Sequence, residues 1–183
     1  LAKIDYAYWY YQENPDEPHV QWGPKFNYYH YDDNLGIWPA RDYVRDAIRY
    51  WIEHFHIDGI RFDATAIIDN YEVLQWLRDE VRKSVADMKP FFAIAEHVPE
   101  DPTVAGLDGP MDAAWHESFS KQLMCTLLGR DAHGCQPYNM DNIARVLNPR
   151  EEGYESPYNV INYIDNHDQN RIMWRFDEPG VYD

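Results

Sequence analysis

His56-Ile57-Asp58-Gly59-Ile60-Arg61-Phe62-Asp63-Ala64 decides the fold. Its second half, from Gly59 to Ala64, is a short apolar run that reads as a buried strand. Side chains alternate along a strand, so Arg61 and Asp63 share one face and Phe62 takes the other. Upstream, Val44, Ala47, Ile48, Trp51, Ile52 and Phe55 recur at helical spacing, with Arg41, Asp42, Arg45, Arg49 and Glu53 between them. That is an amphipathic helix, with its stop expected near Asp58-Gly59. Downstream, Asn70 is placed to cap a second helix whose apolar face is Leu74, Leu77, Val81 and Val85. Pro90 breaks the chain, and Phe91-Phe92-Ala93-Ile94-Ala95-Glu96 reads as the next strand.

Further out the same alternation continues. A weak strand near Met111–Trp115 precedes a third helix over Glu117–Leu128. Residues 130–157 read as loop, with some helix around Asp141–Leu147. Val160-Ile161-Asn162-Tyr163-Ile164 is the last clear strand and runs into Asp165-Asn166-His167-Asp168. Residues 1–40 hold Pro15, Pro18, Pro24 and Pro39 with Gly23 and Gly36, which predicts a long loop of the functional kind.

Strands alternating with helices predict βαβ units and a parallel sheet. A (β/α)8 barrel spends about 31 residues on each unit. Asp63 and Glu96 are 33 residues apart, which places them on adjacent strands. Glu96 and Asp168 are 72 apart, which leaves room for one strand between. All three acids then fall at or just past the C-terminal ends of strands, where barrel enzymes keep their chemistry. The fold class expected is α/β, part of a (β/α)8 TIM barrel, with residues 1–183 as a fragment of one catalytic barrel domain.

Each acid has a chemical reading beside a structural one. Arg61 next to Asp63 suits an ionised, oriented nucleophile, and equally a buried ion pair that closes a barrel. Glu96 follows five apolar residues; such a setting favours the protonated form that a general acid needs, unless the strand end opens to solvent. Asp168 follows Asn166 and His167, polar groups that suit a sugar-gripping carboxylate or a hydrogen-bonded loop start.

Gly59-Ile60-Arg61-Phe62-Asp63, then Ala95-Glu96-His97, then Asn166-His167-Asp168 resemble three of the four short conserved-type regions of the α-amylase family, glycoside hydrolase family 13. The likeness spans roughly residues 20–172. It implies Asp63 as nucleophile, Glu96 as acid/base and Asp168 as the stabiliser of the transition state. It implies Arg61 as the group that orients Asp63, and His167, Asn166 and His97 among the substrate-binding residues. The family's first region is absent, so the resemblance implies strands four to seven of the barrel, with the remaining segments in a longer chain. Within the family, Trp22-Gly23-Pro24-Lys25-Phe26-Asn27-Tyr28 and the phrase from His56 to Asp63 look most like glycogen branching enzymes. They are also similar to maltooligosyl-trehalose trehalohydrolases, toward which Gln169 leans.

The formal net charge of -16, from 16 Lys+Arg against 32 Asp+Glu, argues against nucleic acid and against an anionic membrane surface. A neutral or cationic substrate is compatible with that charge, and the resemblance implies an α-glucan. Aromatic residues make up 16% of the chain, and their flat faces suit sugars as well as ordinary packing. Cys125 and Cys135 are too few for a disulfide framework or a zinc quartet and are expected as free thiols in a reducing, cytoplasmic setting. His54 and His56 face apart on a helix, so no metal is expected; neither is a cofactor. No G-x-S-x-G elbow occurs, which removes a serine hydrolase of that class. A non-catalytic sugar-binding or scaffold barrel would tolerate loss of the acids, and this chain keeps all three.

Overall fold

The computed structural model of the chain describes residues 6–11, 24–85, 89–129 and 135–176. The chain divides into two compact units, Leu1–Ile60 with Ile67–Phe92, and Arg61–Ala66 with Ala93–Asp183.

In the first unit, a single helical turn, α1 (Tyr6–Trp9), leads to an isolated bridge between Tyr10 and Phe26, whose rings stack 5.4 Å apart. The expected leading loop is therefore locally ordered where it is described; Pro15, Pro18 and Trp22 lie outside the described residues. Helix α2 (Pro39–Phe55) begins with proline at its first turn, where the missing N–H costs nothing. Its buried Arg41 donates to the Tyr28 carbonyl at 2.7 Å and pairs with Glu72 at 2.8 Å, fastening loop and helices together. The buried stripe of α2 is narrower than its sequence pattern. Ile48 and Ile52 are buried, but Trp51 and Phe55 are half exposed and pack against each other. The helix also stops early. His56 takes the left-handed conformation (φ 55°) and its N–H closes on Ile52, so the stop falls three residues before Gly59.

Strand β1 (Gly59–Phe62) follows, then the short helix α3 (Thr65–Ile68) and helix α4 (Tyr71–Val85). The cap of α4 is as expected: the Asn70 side chain accepts from the Val73 N–H at 3.1 Å. So is its apolar face, since Leu74, Leu77, Val81 and Val85 are all buried. Strand β2 (Phe92–Ala95) runs beside β1. Phe92 N–H donates to Asp58 and, four residues on, Glu96 N–H donates to Phe62; that constant offset defines a parallel pair. Gly59 permits the approach, because a Cβ there would sit 2.7 Å from the Phe92 carbonyl oxygen.

In the second unit, β3 (Ala113–Trp115) pairs parallel with β2, Ile94 opposite Ala113. Helix α5 (Glu117–Leu128) and the short α6 (Met140–Val146) come next. Strand β4 (Val160–Ile161), shorter than the sequence suggests, pairs parallel with β3 and is followed by α7 (Ile172–Phe176). The sheet order is β1-β2-β3-β4, the sequential order of consecutive strands in a (β/α)8 barrel. One expectation is overturned. Cys125 and Cys135 are not free thiols but a disulfide, Cα–Cα 6.2 Å, formed where α5 ends at left-handed Gly129 and the chain turns back. Among the described residues no helix is long and apolar enough to cross a membrane.

Candidate active site

The site grows from the C-terminal ends of β1 and β2. After Phe62 the chain turns sharply: Ala64 adopts φ 46°, a left-handed conformation unusual for a residue with a Cβ. The turn wraps one side chain. Ala64 N–H donates to the Glu96 carboxylate at 2.9 Å, while Thr65 N–H and the Thr65 hydroxyl both donate to the Glu96 carbonyl, at 2.9 and 2.8 Å. Strain at Ala64 is thus held in place by three bonds to one glutamate, the pattern of a backbone shaped for a site.

Arg61 stands between two carboxylates. Its Nη1 lies 2.6 Å from Asp63 and its Nη2 lies 2.7 Å from Glu96. The second contact is an ion pair at close range rather than an aligned hydrogen bond, since the Nη2 hydrogens point elsewhere. The two acids differ in exposure: the Asp63 side chain is 74% exposed and that of Glu96 15%. Burial raises the Glu96 pKa above the usual carboxylate range. The Ala64 N–H opposes that rise; the neighbouring Asp63 carboxylate, as hydrogen-bond acceptor and as charge, adds to it, while Arg61 opposes. Asp63 and an acid of raised pKa, Glu96, therefore stand on one guanidinium.

The other residues named from sequence fall around this pair in different ways. His97 is buried, with its Nδ1 3.1 Å from the Thr65 hydroxyl, so it braces the turn from beneath. Asn166 shapes the loop after β4, its side chain accepting from the Asp168 N–H at 2.9 Å. His167 and Asp168 are exposed and pair at 3.3 Å. Sequence reasoning passed over Trp115. The Arg61 guanidinium lies over its ring at 4.5 Å, and the rings of Tyr163 and His167 lie 5.3 and 6.2 Å from it. The available signal was its position: it ends β3, as Asp63 and Glu96 directly follow β1 and β2, whereas Asp168 falls in the loop seven residues beyond β4 rather than at its end.

A second polar cluster lies behind β3. Glu100, His116 and Glu152 bring donor atoms within 4.8 Å of one another. His116 is fully buried, and its two ring nitrogens are 2.6 Å from Asn162 and 2.6 Å from Glu152. Arg145 holds Glu152, and Tyr154 donates to Glu100. Each group is taken up by a neighbour, so the cluster braces the segment after β4 against that after β3.

No protein-family model matches the chain. Curated relatives do. A malto-oligosyltrehalose trehalohydrolase of Saccharolobus solfataricus is 33% identical over 115 residues, covering 59% of this chain and 19% of that protein. Alpha-amylase 2 of Dictyoglomus thermophilum is 25% identical over 143 residues, 77% of this chain and 23% of the relative. These relatives are enzymes of the α-amylase family. A Nostoc punctiforme debranching enzyme soaked with acarbose superposes with a TM-score of 0.62 at 20% identity, over 94% of this chain and 40% of that one. A candidate α-amylase of Salmonella typhimurium gives 0.60 at 23% identity, over 88% and 30%. These likenesses show the fold, part of a (β/α)8 barrel. The chain spans about a fifth of the length of those two curated relatives.

Proposed function

We propose that this chain is a member of the α-amylase family and carries the acids of a retaining enzyme acting on α-glucans. One observation carries the reading: Asp63 and Glu96 share one guanidinium, with Arg61 Nη1 2.6 Å from Asp63 and Nη2 2.7 Å from Glu96. Inverting enzymes hold a water between carboxyls about 6.5–9.5 Å apart, and retaining enzymes keep them at about 5–5.5 Å. Two carboxylates held on one guanidinium fit the shorter spacing. The exposed Asp63 attacks the anomeric carbon as Glu96 protonates the departing glycosidic oxygen. Glu96, now ionised, then takes a proton from water or a sugar hydroxyl, which displaces Asp63. Asp168 grips ring hydroxyls, supported by His167 and Asn166.

What takes the glucosyl group is a finer question. Branching is supported by the phrase from His56 to Asp63 and by the aromatic loop around Phe26 and Tyr28. Hydrolysis, including release of trehalose, is supported by Gln169 and by the names of the relatives. Amylose incubated with the full-length protein separates them. Branching gives α-1,6 signals in proton NMR with few new reducing ends. An amylase gives abundant reducing ends, and a trehalohydrolase frees trehalose from maltooligosyl-trehalose. Absence of turnover on every α-glucan would refute the proposal.

A further inference from the structure

The geometry points to Trp115 as a positioning residue that holds the Arg61 guanidinium against both carboxylates and ties it to the loop bearing Asp168. The inference rests on the proposed roles of Asp63 and Glu96. In a (β/α)8 barrel the side chains of one interior layer come from alternate strands. Arg61 on β1 and Trp115 on β3 are such a pair, meeting across β2 at 4.5 Å. A cation over an indole face is held by the ring's quadrupole, and tryptophan is the strongest of the aromatic partners. Nothing else described could hold this guanidinium from behind: its Nε is buried without a hydrogen-bond partner and its Nη2 is not aligned on one. Orientation therefore falls to the ring and to the two acids themselves.

The ring has a second job. Tyr163 and His167 flank Trp115, and both belong to the segment that runs from β4 to Asp168. Ser120 and Asn162 fix that segment from the helix side, through Ile164 and His116. Trp115 fixes it from the site side. One indole thus touches the cation that serves the nucleophile and acid, and the loop that carries the third carboxylate.

The test uses the full-length protein with Trp115→Met, which fills similar space without a ring, and Trp115→Phe, which keeps one. Turnover is followed on amylose and on α-glucosyl fluoride, across pH, with thermal unfolding in parallel. Trp115→Met should lower kcat about tenfold or more on both substrates, with KM little changed, because misplacement of a positioned group is felt in the chemical step. Glu96 faces Arg61 of β1, Asp63 just past β1, and Tyr163 in the segment after β4. A guanidinium no longer held would lower the Glu96 pKa less, so the basic limb of the amylose pH profile should move up. Trp115→Phe should recover most of the rate and return the limb toward its place. Unchanged kcat in Trp115→Met overturns the inference. So does an equal loss in both variants with the limb unmoved, or a Trp115→Met protein that does not fold, since either makes Trp115 a packing residue only. An unsubstituted protein inactive on both substrates overturns the underlying roles instead, and the inference with them.

Discussion

Replacing Glu96 with glutamine separates shape from proton. In the folded chain the Glu96 Oε2 accepts from Ala64 N–H at 2.9 Å and faces Arg61 at 2.7 Å. An amide oxygen can keep both contacts. What Glu96→Gln removes is the dissociable proton. General acid catalysis contributes about 10²–10⁴ in rate, or about 2.7–5.4 kcal/mol at 1.36 kcal/mol per decade. The loss on amylose should fall in that range. The loss on α-glucosyl fluoride, whose leaving group departs without help, should be far smaller. Since the same residue activates the acceptor, a glucosyl adduct should build up on Asp63 in the variant and be visible by intact-protein mass spectrometry. The pH dependence has a definite sign. The Glu96 pKa is raised, chiefly by burial, and the acid works protonated, so the basic limb with amylose reports its loss. That limb should vanish in Glu96→Gln. Stability follows the same linkage. A carboxyl with a raised folded pKa stabilises below its unfolded value and loses that contribution as pH rises through the folded one. The Tm of Glu96→Gln should therefore gain on the parent as pH increases. Equal losses on the two substrates, in a folded variant that keeps its basic limb, would refute the role.

Four further outcomes are expected. Asp63→Asn should abolish turnover on amylose and on the fluoride alike, because neither can form the covalent intermediate; residual activity equal on both above about 1% of the parent would count against a nucleophile. Gly59→Ala should destabilise by about 1–3 kcal/mol in urea unfolding, since its Cβ would meet the Phe92 carbonyl oxygen at 2.7 Å. Leu77→Ala, at a site 1% exposed in α4, should cost about 2–5 kcal/mol in the same assay. Residues 1–183 expressed alone should show no glucan turnover, because among the described residues β1 and β4 each leave one edge unpaired; measurable turnover with cooperative unfolding would show otherwise.

Much of this was legible because it is written locally. The stripe of α4 and its Asn70 cap lie within fifteen residues of one another, and the acids announce themselves by following short apolar runs. Where the reading failed, distant partners decide. Trp51 and Phe55 fit the apolar period of α2, yet period alone cannot say which part of a stripe finds a neighbour. The stop at His56 needs a left-handed residue that is not glycine, a cost that only the tertiary path explains. Cys125 and Cys135 meet because α5 ends and the chain returns, which spacing does not reveal. Trp115 is the clearest case: its importance depends on β1 and β3 contributing to one layer.

The division of labour proposed for the acids rests on tertiary structure rather than residue type. Two carboxylates and one guanidinium cannot all be ionised without leaving one negative charge uncompensated. Desolvation decides where the proton goes, because a charge costs less where water reaches it. The side chain of Asp63 is 74% exposed and that of Glu96 15%, and burial raises the Glu96 pKa. Sequence placed both acids at strand ends and suggested the same roles from the apolar run before Glu96. The structure supplies the cause that the run could not, a turn at Ala64 that folds backbone over the Glu96 carboxyl and shuts it away from solvent. A substitution that opened this turn, such as Thr65→Ala with its lost bonds to the Glu96 carbonyl and to His97, would let water reach Glu96 and lower its pKa. The basic limb of the amylose profile should then move to lower pH, and an upward shift would show that burial is not what holds the proton.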